Sequence, residues 1–178
     1  LPRAMSIKLF ASDLDGTLLS FSGDTAASRR FAEQWAALDA SERPVLCYNS
    51  GRLAADLRLA AERGGLPRPD YLFGGVGTTL VDRDGAIVRA YQEQFRPGWD
   101  RSLVVEVLGT VPGASVQPER FQSPFKSSWF LPDASDELLA EIRERLRTVE
   151  LDATVVYSSA RDLDVIPARA DKGNAVRW

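Results

Sequence analysis

The stretch ASDLDGTLLS, Ala11–Ser20, decides how the chain is read. It continues a short apolar run, SIKLFAS (Ser6–Ser12), with the look of a buried strand. Two carboxylates, Asp13 and Asp15, stand at the end of that strand with Gly16-Thr17 behind them. Burying charge there is costly unless it is paired or ligated. A plain turn or a helix N-cap is one explanation, since Asp, Gly and Thr are all common in such places. The remainder of the sequence argues for another.

Outward from this stretch, Asp24 or Thr25 can cap a helix through about Leu38, with Phe31, Trp35 and Leu38 on one face. PVLCY (Pro44–Tyr48) reads as a second strand running into Asn49-Ser50-Gly51-Arg52. A helix follows with Leu53, Leu57 and Ala61 in register, closed by Gly64-Gly65. DYLF (Asp70–Phe73) gives a third strand. This alternation predicts an α/β fold, a doubly wound, Rossmann-like core on a parallel sheet with right-handed crossovers. The pattern changes after Gly74. Thr79–Val81 and Ala86–Tyr91, split by Arg83-Asp84-Gly85, read as a hairpin. A helix over Trp99–Leu108, strand-like pieces at Ser115–Gln117 and Lys126–Leu131, and an amphipathic helix over Asp136–Val149 come next. Ala153–Tyr157 and Asp162–Ile166 form a closing hairpin. The division expected is a core of residues 1–82 and 167–178 carrying an inserted α+β cap, residues 83–166.

Composition narrows the chemistry. Hydrophobic content of 44% and charged content of 26% over 178 residues suit one core with a smaller insertion. A formal net charge of −3 offers no electrostatic basis for nucleic acid or an anionic membrane as partner. No apolar run approaches the roughly 20 residues of a bilayer span. The single cysteine, Cys47, excludes an intramolecular disulfide and says nothing against a reducing cytoplasm, where the protein is expected. It sits inside an apolar strand and reads as a small core residue. Leu1–Ala4 precede Met5 and are set aside as an expression remnant or upstream read-through. There is no histidine, which removes Ser-His-Asp and Cys-His catalysis and His-based zinc sites. Chemistry must run on carboxylates, lysine, hydroxyls, main-chain amides and a hard cation.

Ligands of open parallel sheets gather at the carboxyl ends of strands. That rim receives Asp13 and Asp15 after the first strand and Ser50 after the second. Lys172, in Ala170-Asp171-Lys172-Gly173-Asn174-Ala175, opens the helix after the insertion. Two carboxylates, a hydroxyl and an ammonium are the parts for transferring a phosphoryl group to an aspartate. An anionic nucleophile approaching an anionic phosphate needs Mg²⁺ and Lys⁺ to offset the repulsion.

These residues resemble a known family. Asp13-Leu14-Asp15-Gly16-Thr17 looks like the first motif of the haloacid dehalogenase-type phosphatases, Tyr48-Asn49-Ser50-Gly51-Arg52 like the second, and Lys172-Gly173-Asn174-Ala175 like the third. Their sucrose-phosphate phosphatase branch is resembled further at Pro69-Asp70-Tyr71, Gly75-Val76-Gly77-Thr78 and Phe121–Lys126, and at Ser158–Asp164 leading into Ile166-Pro167. The resemblance implies that Asp13 is the nucleophile and a metal ligand. It makes Asp15 the general acid and base, with its main-chain carbonyl also on Mg²⁺. It puts Ser50, with Gly51 beside it, and Lys172 on the phosphoryl oxygens. The insertion becomes the substrate-selecting cap. The expected partner is a small-molecule sugar phosphate, sucrose 6-phosphate being the most specific candidate, with no nucleic acid and no membrane.

Other positions stay open. Gln122 and Lys126 are candidates for sugar hydroxyls or phosphate, or else form an exposed polar strand face. Arg52 either binds an anion or caps the following helix. Asp162 and Asp164 share a strand face that reads as solvated, and Trp35, Trp99 and Trp129 read as packing. The family's fourth motif, a strand ending in Gly-Asp that completes the Mg²⁺ site, is not found before Trp178. The chain is therefore expected to be a fragment that binds Mg²⁺ weakly. A phosphatase or mutase for another glycosyl or polyol phosphate, and a non-catalytic phospho-sugar-binding module, are the alternatives.

Overall fold

The structure is a computed structural model and describes residues 7–178. Leu1–Ala4, set aside above, and Ser6, expected to open the first strand, lie outside the described residues. The chain forms two compact units, the first running to Val88 and the second from Arg89 to Trp178.

The first unit contains β1 (Leu9–Ser12), α1 (Ala26–Ala37), β2 (Val45–Asn49), α2 (Ala54–Arg63), β3 (Tyr71–Gly74) and β4 (Thr79–Asp82). Its sheet has the order β1-β2-β3-β4, with the first two pairings parallel. β4 adds antiparallel to β3. β2 is apolar at nearly every position and buried from Leu46 to Asn49, as a parallel strand covered on both faces must be. Leu14, Leu46, Tyr48, Leu57 and Leu72 form the core. α1 docks on β1 through aromatic contacts, the Phe10 ring lying 5.2 Å from Phe31 and 6.0 Å from Trp35 between centroids. Cys47 is buried, as expected of a small core residue.

Register places the site. Ser12 pairs with Tyr48, and the strands run parallel. The segments that follow them, Asp13–Asp15 and Ser50–Arg52, therefore leave the sheet at the same edge. Asn49 pairs with Phe73, which brings the turn after β3 to that edge as well.

The hairpin after Gly74 is shorter than expected. The turn forms, with Gly85 N donating to the Asp82 carbonyl at 3.0 Å and Val88 N to the Leu80 carbonyl at 2.9 Å. Pairing stops there, and Arg89–Glu93 is a short helix, α3, rather than the end of a strand. Tyr91 and Phe95 explain the change. They lie four residues apart, are 1% and 2% exposed, and meet edge to face at 5.2 Å. A short apolar run is compatible with either period, and here the helical one buries both rings.

In the second unit, α4 (Arg101–Gly109), β5 (Ser115–Val116), β6 (Ser127–Phe130), α5 (Asp136–Thr148), β7 (Ala153–Ser158), β8 (Asp162–Pro167) and α6 (Lys172–Arg177) follow α3. The sheet is antiparallel throughout, in the order β5-β6-β8-β7. α4 and α5 start at side-chain caps, Asp100 accepting from Ser102 N and Ser135 from Leu138 N. Their apolar faces share a core with Trp129, Leu163 and Val165, so Trp129 is a packing residue. Among the described residues no helix is long and apolar enough to cross a membrane.

Candidate active site

The loop after β1 is built around Leu14, which is 0% exposed. Its carbonyl accepts from Thr17 N at 3.1 Å, Leu18 N at 3.0 Å and Leu19 N at 2.8 Å, while Gly16 N donates to the Leu19 carbonyl at 2.8 Å. Gly16 sits at φ +75, and a Cβ there would come within 2.9 Å of the Phe21 ring. The left-handed backbone is what calls for glycine, since the exposed Phe21 ring can turn aside. With Leu14 anchored in the core, Asp13 and Asp15 are left half-buried on either side of it. Asp13 Oδ1 accepts from Leu14 N at 2.8 Å, and Ser12 Oγ donates to the Asp13 carbonyl at 2.7 Å.

Asp15 meets the loop after β2. Arg52 donates from Nε to Asp15 Oδ2 and from Nη2 to Asp15 Oδ1, both at 2.8 Å. Ser50 Oγ donates to Asp15 Oδ2 at 3.3 Å and accepts from Arg52 N at 3.2 Å. Ser50 is 2% exposed. The carboxylate pushes the Arg52 guanidinium pKa further above its ordinary value, so this group stays charged. The turn after β3 locks the same loop from behind. Gly75 N donates to the Arg52 carbonyl at 2.7 Å and Val76 N to the Ser50 carbonyl at 3.2 Å. Gly75, Val76 and Gly77 are all left-handed, at φ 61, 60 and 85. For a β-branched residue such as Val76 this is strained backbone. Asp13, Asp15, Ser50 and Gly51 are thereby gathered by three interlocked turns at one sheet edge.

Among the described residues no group of three or more His, Cys, Asp or Glu side chains is placed to hold a metal. The donors present are nevertheless hard oxygens. Mg²⁺ is commonly held by one or two carboxylates, its remaining positions going to water and substrate phosphate. The Asp13 carboxylate and the Asp15 main-chain carbonyl fit that pattern.

The other sequence-derived residues belong to the second unit. Lys172 is the first residue of α6, whose N-cap Asp171 accepts from Asn174 N at 2.7 Å. Gln122 and Lys126 are neither exposed nor on a solvated face, being 7% and 5% exposed. Gln122 Nε2 donates to the Gln117 and Ser128 carbonyls at 2.9 and 2.8 Å, and its Oε1 accepts from Ser128 N at 2.9 Å. Lys126 Nζ lies 2.8 Å from Asp164 Oδ1, and both meet Ser128 Oγ. Asp162 accepts from Gln117 Nε2 at 3.1 Å and Arg161 Nε at 3.2 Å. The acidic face read as solvated is thus a paired network. Sequence reading missed the Arg52–Asp15 fork. Its signal was an arginine two residues beyond Ser50, on the loop already assigned to the site.

The chain is similar to known proteins over nearly its whole length. The chain matches the family described as sucrose-6F-phosphate phosphohydrolase over residues 6–178. It is 44% identical over 173 residues to the mannosylfructose-phosphate phosphatase of Agrobacterium fabrum, covering 97% of this chain and 68% of that protein. Sucrose-phosphatase 2 of Nicotiana tabacum is 26% identical over 173 residues, and there the chain spans 40% of its relative. The solved sucrose-phosphatase of Synechocystis sp., in complex with sucrose and phosphate, superposes with a TM-score of 0.86 at 28% identity. That superposition covers 97% of this chain and 69% of the other. The chain belongs to the sucrose-6F-phosphate phosphohydrolase family, haloacid dehalogenase-like hydrolases of phosphate monoesters.

Proposed function

We propose that this protein hydrolyses the phosphate monoester of a fructose-containing disaccharide through an aspartyl-phosphate on Asp13. The observation that carries the reading is the convergence of Asp13, Asp15 and Ser50 on one sheet edge, with Ser50 hydrogen-bonded to Asp15. An Asp13 carboxylate oxygen attacks phosphorus, and the bond to the sugar oxygen breaks. Asp15 donates a proton to that leaving oxygen. It then takes a proton from the water that attacks the aspartyl-phosphate, releasing phosphate and restoring Asp13. Ser50, Gly51 and Lys172 hold the phosphoryl oxygens. The Asp13 carboxylate and the Asp15 main-chain carbonyl would hold Mg²⁺, which would supply the positive charge that lets an anionic nucleophile meet a phosphate. Residues 1–82 and 167–178 act as the catalytic core. Residues 83–166, with Gln122 and Lys126, act as the substrate-selecting insertion. A buried, reduced cysteine suits work in the cytoplasm.

Identity supports one substrate over another. The relative acting on mannosylfructose phosphate is 44% identical and the tobacco sucrose-phosphatase 26%. A mannosyl-fructose phosphate is therefore the first choice and sucrose 6-phosphate the second. The test is phosphate release from both compounds and from glucose 6-phosphate, with and without Mg²⁺, for the protein and for Asp13→Asn. Mg²⁺-dependent release confined to the disaccharides and abolished by Asp13→Asn is expected. Equal rates for the two proteins remove Asp13 as nucleophile.

A further inference from the structure

We propose that Arg52 is a positioning residue for Asp15: it holds the Asp15 carboxylate in the resting protein and exchanges it for the oxygens of an incoming phosphate dianion. This rests on the reading of Asp13, Asp15 and Ser50 as a phosphoryl-transfer site. Both Asp15 oxygens accept from the Arg52 fork at 2.8 Å, and Oδ2 also accepts from Ser50 Oγ. A general acid must present an O–H to the leaving oxygen. Here each oxygen already faces a charged donor, so this geometry belongs to the state before substrate arrives.

The release route is built into the same loop. The Arg52 main chain is clamped, its N–H on Ser50 Oγ and its carbonyl on Gly75 N, while its side chain remains 47% exposed. Only the guanidinium swings. Ser50 Oγ, the expected phosphoryl contact, lies against both Asp15 and the Arg52 backbone. A dianion on that hydroxyl therefore arrives within reach of the fork. A guanidinium fits phosphate as well as carboxylate, in the same bidentate manner, and a dianion outcompetes a monoanion. Substrate binding thus releases the Asp15 carboxylate from the fork, leaving it to face the leaving oxygen.

The test is a double-mutant cycle on anion affinity. Orthophosphate and orthovanadate binding is measured by calorimetry with Mg²⁺ for the protein, Asp15→Asn, Arg52→Ala and the double variant. Thermal melts confirm that each is folded. Asp15→Asn is expected to tighten orthophosphate binding roughly three- to tenfold, the range of a partly exposed charged hydrogen bond. In the Arg52→Ala background the same change is expected to gain at least threefold less. Arg52→Lys, which keeps the charge and loses the fork, falls between. Equal gains in both backgrounds reduce Arg52 to a structural staple and overturn the proposal. A wild-type protein that binds neither anion overturns the phosphoryl-transfer reading beneath it instead.

Discussion

Gly74→Ala adds one methyl group where the turn after β3 passes under the start of α2. The new Cβ would stand 2.6 Å from Ala54 N and 3.0 Å from both Ala54 Cα and the Arg52 carbonyl oxygen. All three are main-chain atoms, so no rotamer change relieves the clash. Gly74 is not left-handed, so alanine can adopt its backbone and the cost is steric alone. Overpacking of this kind costs about 1–3 kcal/mol. The stiffer unfolded chain returns about 0.4–1 kcal/mol. A net loss of about 1–2 kcal/mol is expected, read as a lower urea midpoint by tryptophan fluorescence. Gly51→Ala is the matched control, since its Cβ would meet only Val76 Cγ2, at an ordinary 3.9 Å. Its midpoint should stay within about 0.5 kcal/mol of wild type. Relief at Gly74 pushes the Ser50–Arg52 loop, and a 1 Å misplacement in such a site costs about a hundredfold in rate. A shift of about half that predicts about a tenfold loss of phosphate release. Wild-type stability and rate in Gly74→Ala, or equal destabilisation of the two variants, would refute the close approach.

Lys126→Met leaves the Asp164 carboxylate without its cation in a network where the lysine side chain is 6% exposed. A loss of about 3 kcal/mol is expected, and adding Asp164→Asn should restore more than half of it. A double variant as unstable as the single one would show that the ion pair is not what Lys126 contributes. Burial, with a smaller push from Asp70, raises the Cys47 thiol from 9.0 to about 11. The unfolded chain thus releases this proton first as pH rises. The stability Cys47 contributes is intact below pH 9 and is lost between there and about pH 11. Urea midpoints taken across that window should fall less steeply in Cys47→Ala than in the wild-type protein, and identical slopes would contradict the burial argument.

The core of the first unit was legible because each of its signals has a single physical reading. A run such as PVLCY has no polar side, so it must be a strand covered on both faces. β1, expected to be buried as well, instead alternates exposed and half-buried residues, and Asp13 is at the rim because it follows the carboxyl end of a parallel strand. Periodicity failed where an apolar run was short enough to serve either structure, as at Ala86–Tyr91. There the choice depended on Phe95, which lies beyond the run. Side-chain pairing was the least legible level. Nothing in the spacing of Gln117, Gln122, Lys126, Asp162 and Asp164 says that they meet. They are brought together by antiparallel register across β6 and β8, where Ser128 pairs with Asp164. The Arg52–Asp15 fork was hidden for the same reason. It joins residues 37 apart in sequence through two loops whose adjacency is set by β1–β2 pairing.

The strained turn at Gly75-Val76-Gly77 follows from what the site requires of its backbone. Ser50 and Arg52 lie on a loop with no regular pairing of its own, since β2 ends at Asn49 and α2 begins at Ala54. Left alone, such a loop would sample many conformations, and a catalytic hydroxyl on it would be poorly placed. Fixing it requires donors that point back at its carbonyls. The residues after β3 supply them only by turning left-handed, which aims Gly75 N at Arg52 and Val76 N at Ser50. A left-handed valine costs about 1–3 kcal/mol. Two backbone hydrogen bonds offset that cost at about 0.5–1.5 kcal/mol each. The unit thus gains little stability from the turn but gains a rigid loop. Rigidity is the more useful result, because an Arg52 backbone that cannot move is what allows its side chain to pass between two anions without carrying Ser50 along.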